Sequence, residues 1–403
     1  MYQKELKTEF SSFLPFLALI SFISFINILA RVIFSPLTPY ICDEMHLCHG
    51  DTGNLFFILS IGFALTLFFS QFVSSFISHK KTVVLSVFST GLALFLVSSS
   101  THFDFLRIAL FFLGLSSGLF VPSAVSMIRE VVGSHHIGKA FGIFSSAQGF
   151  AFILGPLIVQ NALKVTSWNR VLFVFGFTCV LVSFILIFLL KTGNEKGKIV
   201  TLNFAKAIFS LPMFWILAIL LCLANGVNYG IYNMAPDYFQ RHNLISGDAV
   251  NQLTVIARML SILTAVLGGV LSDRFGLKRS IIIFLILTGA TTVMMGLISP
   301  SLALALFCFQ TPLAACLMPL IHSAMTLITS PDKNSAIVSM MAPIAFSFGT
   351  GVVPQFFGFL GDSNLYSLGF VLLGILTLSS ALLFNFKTVS SQLEANRLKS
   401  LEL

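Results

Sequence analysis

Arg31 and Arg258 each stand within a long apolar stretch of the chain. A charge kept at such depth is expensive, so both are functional candidates by default. Arginine stays protonated and presents a planar fork of N–H donors that matches the two oxygens of a carboxylate or phosphate. Facing one cavity, the two guanidinium groups would fix the charged end of an anionic solute. The competing reading is structural: each could satisfy helix-end carbonyls or a neighbouring acid and so hold a bundle together. Arg107 fits that structural reading better, with Asp104 one helical turn away.

Asn27, Gln148, Asn225, Asn228, Tyr229, Tyr232 and Gln310 also lie in apolar stretches, where they would line such a cavity or bond between helices. His322 is a further candidate, because histidine titrates near neutrality, although a lone histidine more often serves packing. The acids Asp43, Glu44, Asp51, Asp104, Glu130, Asp237, Asp248, Asp273 and Asp362 all fall near the ends of apolar stretches. A buried proton carrier is therefore not evident, Asp237 being the nearest to one. No nucleotide-binding glycine loop, metal-ligand pair or nucleophile with its base is readable, so neither an enzyme nor a cofactor is expected. Cys42 and Cys48 flank a short run, CDEMHLCH, that could hold a metal or close a disulfide. It equally suits an ordinary loop in which Asp51 caps the next helix. The other four cysteines read as small core residues.

The elements that position these residues follow from composition. With 56% hydrophobic and 9% charged residues and a mean hydropathy of +0.96, a water-soluble globule would have almost nothing to put on its surface. The bilayer is the solvent. A spanning helix needs about 20 apolar residues, and twelve stretches of that order separate the charge clusters. The first ends near 38, the seventh covers 211–236 and the eleventh 335–360. Inside lipid they must be helices, since an unpaired backbone amide there costs several kcal/mol. The net charge of +8 does not imply a nucleic-acid partner, because its distribution marks a membrane side. Lys4, Lys80, Lys81, Lys139, Lys196, Arg274, Lys278 and Arg279 fall on one face, and the other carries only Lys164, Arg170 and Arg241. The positive-inside rule then puts both termini in the cytoplasm, and the first apolar segment reads as a retained span rather than a cleaved signal.

The chain also repeats itself with an offset of about 197 residues. PYICDEMHLCHGD from Pro39 to Asp51 matches PDYFQRHNLISGD from Pro236 to Asp248 at Pro, Leu, Gly and Asp, and Pro122 and Ser126 match Pro319 and Ser323 in the same register. Two six-span halves follow, 1–190 and 210–403, joined by a polar linker over 191–209. Duplicated carriers of this kind place their solute near the midplane between the halves and rock one half against the other.

Between the eighth and ninth spans the chain reads GVLSDRFGLKR from Gly269 to Arg279. This resembles the loop signature of the major facilitator superfamily, G-x-L-x-D-R-x-G-x-K-R. The resemblance implies a conformational latch in which Gly269 allows close helix approach, Gly276 turns the chain, and Asp273 pairs charge or caps near Arg274, Lys278 and Arg279. The first-half loop departs from the pattern, with Ser75 in place of the Asp and Ser78 in place of the second Gly, so its latch should be weaker. The run FLGLSSGLFVP from Phe112 looks like the family's glycine-rich fourth helix, and Gly155-Pro156 resembles the Gly-Pro of its antiporter motif, with Ala151 at an expected Gly. Arg31, five residues before Pro36, resembles in position the arginine of family members that carry organic phosphates and other organic anions, and Arg258 that of the monocarboxylate and oxalate carriers.

The expectation is an all-α integral membrane protein of twelve transmembrane helices in two pseudo-symmetric six-helix bundles, lying as a monomer in the inner membrane. It would move a small, anionic organic solute, with a co- or counter-transported ion as partner. Efflux of drugs or siderophores is the rival transport reading, and a solute sensor with a carrier fold is the rival from another class.

Overall fold

The structure is a computed structural model, and it describes residues 10–132, 136–197, 206, 208–326 and 340–383. Among the described residues, twelve helices are long and apolar enough to cross a membrane: α1 Phe10–Glu44, α2 His49–Ile77, α3 His79–Ser98, α4 Phe103–Val131, α5 Ile137–Ala162, α6 Trp168–Leu189, α7 Pro212–His242, α8 Gly247–Ser272, α9 Leu277–Leu297, α10 Pro300–Met325, α11 Met340–Asp362 and α12 Tyr366–Leu383. No strand occurs among the described residues. The expected residues 335–339 of the eleventh span lie outside them. The chain is thus a multi-pass membrane protein with the expected helical count.

It forms two compact units: Met1–Leu37 with Ile61–Ile199, and Thr38–Ser60 with Val200–Leu403. The C-terminal end of α1 and the first turns of α2 therefore cluster with the second half of the sequence. Within each unit a closely packed helix pair is built on glycine, because lipid tails offer helices no hydrophobic drive to associate and close backbone packing must supply it. In the first unit, a Cβ on Gly91 of α3 would lie 2.7 Å from the Gly176 carbonyl of α6. In the second, one on Gly289 of α9 would lie 2.9 Å from the Gly374 carbonyl of α12. The two pairs repeat at the offset of the sequence repeat to within a residue. Large side chains face outward elsewhere, as with Phe68, Phe72 and Phe76 on α2 and Phe184 and Phe188 on α6. That is where lipid requires apolar surface.

Two helix ends differ from the expectation. Helix α1 continues past its turn at Ile33 to Glu44, so only Met45–Cys48 is left as a loop. Asp51 is not the cap of α2. It lies in the first turn, and its Oδ2 accepts the backbone N–H of Cys48 at 3.2 Å, the reach-back half of a capping box. The Cys48 thiol donates to the same oxygen at 3.1 Å, and Cys42 and Cys48 are both free thiols. Helix α7 runs six residues past the expected 236, because its last segment, Pro236–His242, winds as a π-helix instead of stopping at the proline.

The loop signature is corrected at one point. A Cβ on Gly269 would meet nothing within 4 Å, and the close approach falls instead on Gly268, whose added Cβ would lie 3.2 Å from Cys316 Cβ on α10. Gly276 turns the chain at φ +86° as expected, and Arg274 is exposed with its guanidinium 5.8 Å from the Phe275 ring. The Asp273 side chain lies outside the described positions. In the equivalent first-half turn, Ser78 adopts φ +83°, a left-handed backbone that glycine takes freely and serine does not. The linker completes that turn: the carbonyls of Glu195 and Gly193 accept the first two amides of α3, from His79 at 3.2 Å and Lys80 at 2.7 Å, and Gly197 N–H donates to the Ser74 carbonyl at 3.2 Å. Replacing Ser78 by glycine is expected to stabilise the protein by about 1 kcal/mol, the usual relief of a left-handed L-residue. A lower thermal midpoint of the purified Ser78→Gly protein would show that the serine side chain outweighs the strain.

Candidate functional site

Helix α7 carries the polar residues of the second unit, and it does so on widened turns. Gly226–Gly230 is a π-helical segment, closed by the bond from Ile231 N–H to the Gly226 carbonyl. Such turns open a helix toward its neighbours and recur at functional sites. Here side chains of two other helices reach the carbonyls. Arg258 of α8 donates from Nη2 to the Asn228 carbonyl at 2.9 Å and from Nη1 to Asn228 Oδ1 at 2.7 Å. Gln310 of α10 donates to the Val227 carbonyl at 3.0 Å and to Thr292 Oγ1 of α9 at 3.2 Å. The Arg258 guanidinium also lies 4.6 Å from the Tyr232 ring centre and 5.7 Å from that of Tyr229, within cation–π range. Tyr229 in turn stacks on Phe346 at 6.2 Å.

The structure therefore brings Arg258, Asn228, Tyr229, Tyr232 and Gln310 into one cluster, buried except for the half-buried Tyr229, with Arg258 only 6% exposed. Bonding to both the side chain and the backbone of one residue fixes the plane of the guanidinium. Asn225 is one turn away but donates to its own helix, at the Leu221 carbonyl. His322 is not part of the cluster: its Nδ1 meets the Met318 carbonyl of α10 at 2.7 Å.

In the first unit, Asn27 and Arg31 share a face of α1 one turn apart. Asn27 is 1% exposed, and Arg31 is partly exposed with its guanidinium 3.9 Å from the Phe63 ring of α2. Gln148 of α5 reaches the same helix, donating to Ser24 Oγ at 3.4 Å. Asp104 and Arg107 form a surface pair at 3.4 Å.

Comparison with known proteins fits this architecture. The family model described as Major Facilitator Superfamily matches residues 20–245 and 236–401, nearly the whole chain. The chain belongs to the Major Facilitator Superfamily. It is 21% identical over 338 residues to the uncharacterized MFS-type transporter YceJ of Bacillus subtilis strain 168, covering 82% of this chain and 85% of the relative. It is 23% identical over 348 residues to multidrug resistance protein 2 of the same strain, again covering 82% and 85%. Among solved structures, a bacterial homolog of the human lysosomal transporter Spinster, inward-facing and unoccupied, superposes with a TM-score of 0.79 at 14% identity, over 94% of this chain and 97% of the other. Family and fold are those of transporters, so the protein is an MFS transporter of small molecules.

Sequence reasoning missed a second polar cluster in the second unit. Asp237 of α7 is fully buried, although it was placed among the span-end acids. Its Oδ1 accepts from Arg241 Nη1 at 2.6 Å and Thr52 Oγ1 at 3.4 Å. Its Oδ2 meets His49 Nδ1 at 2.8 Å and accepts the Tyr366 hydroxyl. Arg241, expected only as an outer-face charge, also donates to Asp43 Oδ1 at 3.1 Å, Thr52 Oγ1 at 3.1 Å and the Leu47 carbonyl at 2.7 Å. The sequence signal was present in the repeat, whose two matched segments supply Asp43 and His49 on one side and Asp237 and Arg241 on the other.

The bond between Asn228 and Arg258 gives a measurable expectation. Asn228→Ala removes an acceptor from a buried guanidinium and should cost about 1.5–3 kcal/mol, as for other hydrogen bonds to charged groups. Asn225→Ala removes only a bond within one helix and should cost less. Thermal unfolding of both purified variants checks the order, and equal losses would deny Arg258 its dependence on Asn228.

Proposed function

We propose that this protein is a secondary active carrier of a small organic anion, set in the inner membrane with both termini in the cytoplasm. Arg31 and Arg258 fix the charged end of the solute. The observation that carries the reading is the Arg258 cluster: a buried guanidinium held in one plane by Asn228, over Tyr232, in a span where a charge is otherwise avoided. Arg31, against Phe63, is the corresponding charge of the first unit. Asn27, Gln148, Asn225, Tyr229, Gln310 and His322 are the remaining candidates for solute contact. The halves 1–190 and 210–403, joined by 191–209, are the moving parts, with the segment from Asp273 to Arg279 as a latch.

Drug efflux is the second reading. It is supported by the similarity to multidrug resistance protein 2 and by Gly155-Pro156, where Gly155 comes so near α1 that an added Cβ would lie 3.0 Å from Val32.

Thermal stability of the purified protein, screened against phosphates, carboxylates, amino acids and hydrophobic cations, separates the two. At a ligand concentration 100 times Kd, binding stabilises by about 2.7 kcal/mol. The expected result is stabilisation by one anion class, lost in Arg31→Gln and Arg258→Gln while both remain folded. Stabilisation by cations or neutral drugs alone, retained in both variants, overturns the anion reading and favours efflux. Counter-flow of labelled solute then tells a carrier from a sensor, which would give none.

A further inference from the structure

A groove between α5 and α6 plays no part in either reading of the solute. Its volume is about 580 Å³. One wall is Ile158 and Ala162 of α5, and the other is Arg170, Val174 and Thr178 of α6, each set spaced four residues apart and so lying on one helical face. Ile33, buried where α1 turns, closes the groove from within. The Thr178 hydroxyl donates to the Val174 carbonyl of its own helix at 2.9 Å, so the wall below Arg170 offers a ligand only apolar contact. Phe173 and Val174 are more than half exposed, which on a spanning helix is surface for lipid.

The head of the groove carries charge that nothing in the protein neutralises. Arg170 is exposed, and no acid pairs with it among the described residues. Lys164, in the loop that joins α5 to α6, is exposed as well. From Val131 to Asn194 the sequence has no aspartate or glutamate. Basic residues are scarce on this side of the spans, as the positive-inside rule requires. Of the three there, Arg241 is bonded to Asp237 and Asp43, and the other two stand at either end of one short loop.

We propose that the groove is a binding site for one anionic phospholipid of the leaflet at the Arg170 end, with an acyl chain between α5 and α6 and the phosphate on Arg170. The dimensions agree: Arg170 to Thr178 is eight residues, about 12 Å of helix, and the hydrocarbon of one leaflet is about 15 Å deep. The guanidinium turns its fork to the phosphate oxygens, and Lys164 adds to the positive potential at headgroup level. The seat for the chain is what separates this site from the general bilayer, where an anionic lipid meets a basic side chain at no fixed place. A chain in the groove touches α1, α5 and α6 at once. The inference uses the transport reading only to call that leaflet the outer one. No solute enters its test, so it stands or falls apart from the anion screen.

The sequence has two tryptophans, Trp168 and Trp215, and Trp168 opens α6 two residues before Arg170. Trp215→Phe therefore leaves one fluorophore beside the head of the groove. This protein, in nanodiscs of phosphatidylcholine, is given phosphatidylglycerol or further phosphatidylcholine brominated near the top of the acyl chain, and quenching of Trp168 is read. Phosphatidylglycerol should quench at the lower mole fraction, and Arg170→Gln should cut that preference about fivefold, the usual effect of one basic residue at a charged lipid surface. Ala162→Phe fills the groove, leaves Arg170 in place, and should remove most of the preference too. Inorganic phosphate, added at constant ionic strength, should not relieve the quenching. Arg170 is exposed, so its variant tests the site even where Ala162→Phe does not fold. Equal quenching by the two lipids shows ordinary bilayer lipid only and overturns the proposal, as does an unchanged preference in Arg170→Gln. A preference kept in full by folded Ala162→Phe shows a headgroup contact with no seat for the chain, and relief by phosphate shows a site for a free anion; either result also overturns it.

Discussion

In hydrocarbon every backbone carbonyl that turns away from its own helix has to be met by a donor from somewhere else. Helix α7 accepts this constraint twice, at Gly226–Gly230 and at Pro236–His242. At the first turn the donors are Arg258 and Gln310, from α8 and α10. At the second, the widened end keeps Asp237 and Arg241 within one helical face, and the bonding is to Asp43 of α1, the Leu47 carbonyl and side chains of α2 and α12. A regular helix through these residues would present fewer acceptors to its neighbours. The polar contacts of the second unit thus trace back to the winding of one span.

The two clusters use charge differently. Arg258 is held by amide and aromatic groups, which orient the guanidinium while leaving its positive charge in place. Around Asp237, carboxylate and guanidinium meet directly, at 2.6 Å. A buried ion pair gains little stability by itself, because desolvation cancels much of the attraction. What such a pair supplies is a defined geometry, and here it joins helices that are distant in sequence.

The helical count, the repeat and the turn at Gly276 were all legible, because length, apolar composition and glycine placement act locally. The repeat even extends to packing, in the pairs Gly91 with Gly176 and Gly289 with Gly374. The clustering of Asn228, Tyr229 and Tyr232 with Arg258 was legible only as a list of polar residues in spans. Which of them meet depends on the rotation of α7, which the π turn sets. Asp237 was misread for a similar reason. Pro236 reads as a stop, yet the helix continues through it, and a residue counted at a span end becomes an interior one. Gly269 failed for a simpler cause: adjacent glycines point in different directions, and Gly268 is the one turned toward α10.

The polar stretch after α6 is more than a connection. Gly193 and Glu195 give their carbonyls to the first amides of α3, and Gly197 gives its amide to the end of α2. Asn194, Glu195 and Lys196 are exposed all the same. A protease that cuts beside Lys196 would therefore do two things at once: it would sever the covalent tie to the second half and unseat the backbone acceptors that close the start of a membrane span. A nicked chain is accordingly different from a chain divided cleanly into two halves, because the damage reaches the folded end of α3.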